Sequence, residues 1–168
     1  MKITLDITKE DYWKFNKYTL LKMPKYRTKT YFSLIVSPLF IVILLNFIVH
    51  NWAYAIVAGL ISGVLANIYV IFSMKRKIMK LVDNSPGIIG EHIVEVNASG
   101  LHGSTSVNNS QYLWDGVQEL RQNQEYIYIY VNNIQGFIIP KRSFSNKAEE
   151  NEFIRAVMEN WKNRTLVR

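Results

Sequence analysis

The spacing of apolar residues changes three times along the chain. From Lys2 to Ile7, Ile3, Leu5 and Ile7 alternate with polar residues, a period of two that predicts a strand with one buried face. Thr8 then has the side chain of an N-cap, and Glu10 and Asp11 fall in the first turn of a helix over Lys9 to Lys22, where the helix dipole favours acids. That helix carries Trp13, Phe15, Tyr18 and several lysines, and suits either a headgroup layer or a covering position on a folded domain.

Periodicity is then replaced by two unbroken apolar runs. Residues 31–49 (YFSLIVSPLFIVILLNFIV) and 52–73 (WAYAIVAGLISGVLANIYVIFS) contain no charged residue. Each exceeds the ~18 residues at which a membrane-spanning helix becomes the expected reading. Only His50-Asn51 separates them, so they predict a tight transmembrane hairpin. Ala55, Gly59 and Gly63 recur every four residues and make a smooth ridge, suited to packing on the first span or to self-association. Asn46 and Asn67 are polar residues that need partners in lipid, and their places in the two spans do not put them opposite each other. Pro38 predicts a mild kink.

After Asn84-Ser85-Pro86-Gly87 the short alternating segments return. Strands are expected at 91–97, 101–107, 110–114, 117–122, 126–131 and 136–140, separated by turn residues such as Asn108-Asn109 and Asn132-Asn133. In Tyr126–Val131 the aliphatic residues point to one side and the tyrosines to the other. A final helix over Lys147 to Asn163, capped by Ser145 or Asn146, places Phe153, Val157 and Trp161 on one stripe. Trp114, Phe144, Phe153 and Trp161 are the expected anchors of the core.

The charge distribution sharpens this picture. The net charge of +7 invites a nucleic-acid reading, but the excess is local. Tyr12 to Val82 holds ten Lys or Arg and no acid, whereas the chain from Asp83 on holds eight bases and ten acids, a poor surface for phosphate neutralisation. The cations flank the apolar runs: Lys22, Lys25, Arg27 and Lys29 before, Lys75, Arg76, Lys77 and Lys80 after. This asymmetry predicts both termini in the cytoplasm and His50-Asn51 outside. There is no cysteine, so disulfides and thiolate metal sites are excluded.

Taken together, GEHIVEVNASG at 90–100, Trp114 in YLWDGVQEL, the strand at 126–130, IIPKRSF at 138–144, Phe153 in EENEFI and the opening TKEDYWKFNKY resemble the YcxB-like family of bacterial membrane proteins. The resemblance implies an α+β membrane protein of the cytoplasmic membrane. Its parts would be a two-helix transmembrane hairpin and a small antiparallel pleckstrin-homology-like (PH-like) β-barrel capped by a C-terminal helix. The N-terminal strand would be the first of seven, with the hairpin inserted after it. The organisation is then residues 1–30 as strand and amphipathic helix, 31–73 as hairpin, and 83–168 as the cytoplasmic domain.

The resemblance implies no reaction, and the residues suggest none. A tight turn at Ala98-Ser99-Gly100 pairs His102 with Glu95 rather than His92, leaving two exposed strand histidines. No cofactor and no metal are expected. At the corner after Pro140, which ends the last strand because it cannot donate to the ladder, Lys141 and Arg142 are expected to be exposed. They are either a solvated corner or a contact for an acidic ligand or lipid headgroup. The expectation is a non-enzymatic membrane-anchored binding or scaffold module. Its partners would be membrane lipids and a protein or a second copy of the chain, not nucleic acid. The alternative is a homo-oligomeric structural or regulatory protein.

Overall fold

The computed structural model describes residues 1–163; the last five residues of the expected C-terminal domain, 164–168, lie outside it. The chain divides into two units, Met1–Asn16 together with the chain from Val82 on, and Lys17–Leu81.

Among the described residues the first unit contains seven strands: β1 (Lys2–Ile7), β2 (Gly90–Val96), β3 (Gly100–Thr105), β4 (Asn109–Leu113), β5 (Glu119–Gln122), β6 (Tyr126–Tyr130) and β7 (Gly136–Pro140). All pair antiparallel, in two sheets ordered β1-β2-β3-β4 and β5-β6-β7. The N-terminal strand joins the sheet as expected, with Lys2 opposite Glu95 and Ile7 opposite Gly90. The N-terminal ammonium donates to the carbonyl of Val96 at 2.7 Å.

The alternation in the sequence is the alternation of the sheets. Ile3, Leu5, Ile7, Val94, Val96 and Leu101 from one sheet meet Ile127, Ile129 and Ile139 from the other in a single core. The tyrosines of β6 are buried on the opposite face, where the Phe15 ring lies 5.5 Å from Tyr128 and 5.3 Å from Tyr130. Phe15 belongs to α1 (Lys9–Lys22), so the start of that helix covers the domain. The start of α1 is a reciprocal cap: the Asp11 amide donates to Thr8 Oγ1 at 3.2 Å, and the Thr8 amide donates to Asp11 Oδ2 at 2.7 Å.

The sheets do not close into the expected barrel. The turn expected at Asp115-Gly116 is a 3-10 turn, Trp114–Gly116, that also takes Trp114 out of the preceding strand, and the segment expected from Val117 begins its ladder at Glu119. Trp114 and Val117 turn into the core, and the carbonyl of Val117 accepts from Trp161 Nε1 at 2.9 Å. Trp161 lies on the last helix, α4 (Lys147–Asn163), whose Phe153 and Val157 are fully buried. A helix thus supplies at this corner the burial and the hydrogen bond that strand pairing would supply in a closed barrel. Trp114, Phe144 and Phe153 are core residues as expected, and Trp161 packs against them half-buried. Asn146 is the residue that caps α4, accepting from the Glu149 amide at 3.0 Å.

The second unit holds α2 (Pro24–Val49) and most of α3 (Trp52–Asp83). Both are longer than the apolar runs, because nothing near residues 25–30 or 74–83 breaks a helix. Lys25, Arg27 and Lys29 therefore sit on the first turns of α2, and Lys75, Arg76, Lys77 and Lys80 on the last turns of α3. Both helices are long and apolar enough to cross a membrane, and only 11% and 17% of their most apolar windows are buried. His50 ends α2 in the left-handed conformation at φ 53°, and Asn51 Oδ1 accepts from the Tyr54 amide at 3.1 Å to start α3.

Candidate functional site

The small-residue ridge packs within the hairpin. A Cβ built at Gly59 would lie 2.7 Å from the Val42 Cα, and one at Gly63 would lie 2.5 Å from the Pro38 Cα. Only glycine permits so close an approach of two helices. Ala55, the first residue of the ridge, is fully buried. Helix α2 continues through Pro38, whose ring faces Gly63. Asn67 finds its partners across the hairpin: its Nδ2 donates to the Leu34 carbonyl and its Oδ1 accepts from Ser37, both at 3.1 Å. Asn46 Oδ1 is buried without a partner among the described residues.

The Lys141-Arg142 corner differs from its expectation as a pair of uncommitted cations. It forms a 3-10 turn, Lys141–Ser143, held by the Lys141 amide donating to the Glu125 carbonyl at 2.8 Å. The Lys141 side chain is only 16% exposed and pairs at 3.0 Å with Glu150, which also pairs with Lys147 at 2.6 Å. Burial pushes the Glu150 carboxyl up, and the two lysines outweigh it and hold it below its usual value. The first turn of α4 is thereby fastened to the end of β7.

Arg142 reaches the other way. Its Nη1 and Nη2 donate to Asp11 Oδ1 and Oδ2 at 2.8 and 2.5 Å, and Nη2 also donates to the Asp6 carbonyl at 3.0 Å. Asp11 is 2% exposed and accepts further bonds from Tyr126 Oη at 2.6 Å and Thr8 Oγ1 at 2.7 Å. Burial alone would raise this carboxyl; Arg142, Tyr126 and Thr8 together reverse the sign and hold it far below the usual carboxylate range. One carboxylate therefore ties α1 to β6 and to the corner after β7. The Thr8-to-Asp11 spacing is legible in the sequence, but nothing local points from Asp11 to Arg142.

A cavity of about 330 Å³ lies inside the same unit, between the inner faces of the two sheets. The strand registers place Leu5, His92 and Thr105 in one row across β1, β2 and β3, and Gly103 opposite Ser110 on β3 and β4. From the other sheet Phe137 faces them, its ring 5.7 Å from Tyr112 and edge-on. His92 is half-buried rather than exposed. It shares a face with Val94 and Val96, a phase of two that is visible in the sequence. Burial lowers its pKa, opposed by a bond to the Ile88 carbonyl and the charge of Asp6. Its Nε2 is buried, with no hydrogen-bond partner among the described residues. His102 pairs with Glu95 as expected and lies on the opposite face of the sheet from His92, so the two cannot share a ligand. It too is half-buried, with Nε2 unpartnered.

Neither the curated proteins nor the solved structures give a match to this chain. A family model described as YcxB-like protein matches residues 96–157. The match runs from the last residue of β2 to the core valine of α4 and is to the family that the sequence resembles.

Proposed function

We propose that this protein is a non-enzymatic, membrane-anchored binding or scaffold module whose PH-like domain works at the inner face of the cytoplasmic membrane. One observation carries the reading. The chain leaves the four-stranded sheet at the end of β1 and re-enters it as β2, the antiparallel neighbour of β1. A domain built from both flanks of a hairpin needs both flanks in one compartment, so an inserted hairpin must cross the bilayer twice. The apolar surface of α2 and α3 supports insertion, with Phe32 67% and Phe47 80% exposed, a cost that water would impose and lipid would not. The cations on the first turns of α2 and the last turns of α3 select the cytoplasm as the shared compartment. Seven strands in sheets of four and three, with a helix packed over the corner between them, support the PH-like assignment. A homo-oligomer built on the Gly59/Gly63 ridge has less support, because that ridge is filled by α2.

The cysteine-free chain makes the test direct. Single cysteines at Asn51 and at Ser85 are labelled in intact cells with a membrane-impermeant maleimide. The Asn51→Cys protein is expected to label and the Ser85→Cys protein to label only after lysis. Labelling of Ser85→Cys from outside would overturn the orientation, and protection of both positions would overturn the double crossing.

A further inference from the structure

We propose that the base of the hairpin, where exposed cations from α2 and α3 stand at one depth, binds the headgroups of anionic phospholipids. The inference rests on the membrane-spanning reading of the two helices and gives the hairpin a ligand class. The cations are Lys25, Arg27 and Lys29 on α2 and Arg76, Lys77 and Lys80 on α3, all exposed.

Their shared depth carries the inference. Gly59 lies against Val42, Gly63 lies against Pro38, and Asn67 bonds the Leu34 carbonyl. Each step of four residues along α3 therefore meets a step of four back along α2. Continued towards the base, that register sets Arg76 opposite Lys25. It also sets Ser73, the end of the second apolar run, opposite Thr28, close to Tyr31 where the first run begins. The apolar edge is thus nearly level on the two helices, and at 1.5 Å per residue the cations stand ~3–11 Å beyond it. A bilayer carries its headgroups at that depth, in a layer ~5–8 Å thick on each face. Cations that only fix orientation need to be in excess on one side; they do not need one depth on two helices.

The chain supplies them little countercharge. None of the six has a side-chain hydrogen bond or ion pair among the described residues. Tyr12 to Val82 contains no acid, and the acids that border this stretch, Asp11 and Asp83, are paired with Arg142 and Lys9. Lys75, at the same depth, is half-buried and already engaged. Helix α2 also begins with no acid in its first turn and no side-chain cap, so the positive end of its dipole adds to the same field. A basic cluster of this size beside a membrane attracts anionic lipid, and its Lys and Arg donors match phosphate oxygens. Lipid is favoured over a soluble anion because the cations are fixed where a bilayer concentrates its phosphates in one plane.

The test reconstitutes the full chain in phosphatidylcholine vesicles with a trace of chain-spin-labelled phosphatidylcholine or phosphatidylglycerol. Electron spin resonance then gives the fraction of each label immobilised on the protein. The phosphatidylglycerol label is expected to associate about threefold or more strongly at about 0.1 M KCl and to approach parity at about 1 M, where the screening length falls to ~3 Å. Lys25→Gln with Arg27→Gln and Lys29→Gln should lower the preference, as should Arg76→Gln with Lys77→Gln and Lys80→Gln; each leaves one basic flank in place. Lys2→Gln with Arg155→Gln, exposed cations of the other unit, should keep it. The proposal is overturned by equal association of the two labels with the parent chain, by a preference that high salt leaves intact, or by full preference in both triple variants. Loss of the preference to excess glycerol phosphate at matched ionic strength would assign the cations to soluble anions and overturn it too. Vesicles carry the same lipid on both faces, so orientation does not enter. Immobilisation of the phosphatidylcholine label reports whether the helices lie in lipid at all, which separates failure of the spanning reading from failure of the lipid preference.

Discussion

Replacing Arg142 by alanine leaves the carboxylate of Asp11 buried with its countercharge removed. Breaking a buried pair in this way typically costs ~3–5 kcal/mol. Two features of this site reduce the figure. Arg142 is 52% exposed, so water already screens one side of the pair, and Asp11 keeps three acceptor bonds, from the Thr8 amide, Thr8 Oγ1 and Tyr126 Oη. We expect a loss of about 2–3 kcal/mol, which at ~4–8 °C per kcal/mol for a domain of ~60–100 residues lowers Tm by ~8–24 °C. The assay is tryptophan fluorescence of the full chain in a Trp52→Phe background, so that only Trp13, Trp114 and Trp161 of the sheet-bearing unit report. The pH dependence has a definite sign. The folded Asp11 carboxyl is held well below its unfolded value of 3.8, so its contribution is complete above about pH 4 and is lost as pH falls towards the folded value. The gap between wild type and Arg142→Ala should therefore narrow below pH 4. Asp11→Asn with Arg142→Met, which removes both charges, should recover part of the loss. An Arg142→Ala protein that melts like wild type at pH 7, or a gap that widens in acid, would refute the argument that Arg142 neutralises a buried carboxylate.

Two other substitutions probe the rest of the framework. Trp114→Ala removes the largest side chain at the open corner between β4 and β5, together with its bond from Nε1 to the Asn97 carbonyl at 3.0 Å, and should cost ~3–5 kcal/mol, read as the shift in denaturant midpoint. Gly63→Leu drives a side chain into the backbone of Pro38 and should separate α2 from α3. Ser37→Cys with Asn67→Cys, which replaces a 3.1 Å hydrogen-bonded pair, should cross-link readily in the parent chain and poorly when Gly63→Leu is added; equal cross-linking would show that the close approach at Gly63 is dispensable.

What local chemistry encodes was legible without coordinates. The Thr8 cap, the bounds of α1 and α4, and the inner residues Ile3, Leu5 and Ile7 follow from side chains a few positions apart, because a helix turn and a strand pleat repeat within that distance. The two apolar helices and the turn at His50-Asn51 were equally plain, since a run of apolar residues needs no partner to declare itself. The ends of α2 and α3 were not, because the basic turns carry no periodic apolar signal although nothing there stops a helix. Tertiary structure alone decided three things. It left the seven strands as two sheets, because the Val117 carbonyl found the Trp161 indole instead of a neighbouring strand. It brought Arg142 to Asp11, 131 residues away, converting a cation that looked uncommitted into the partner of a buried acid. And it enclosed His92 between two sheets; the sequence placed that histidine in phase with Val94 and Val96, but whether the inner face at that row is filled or hollow depends on what the opposite sheet brings to meet it. A side chain's face is set by its neighbours in sequence, whereas its partner is set by whatever the fold carries to that face.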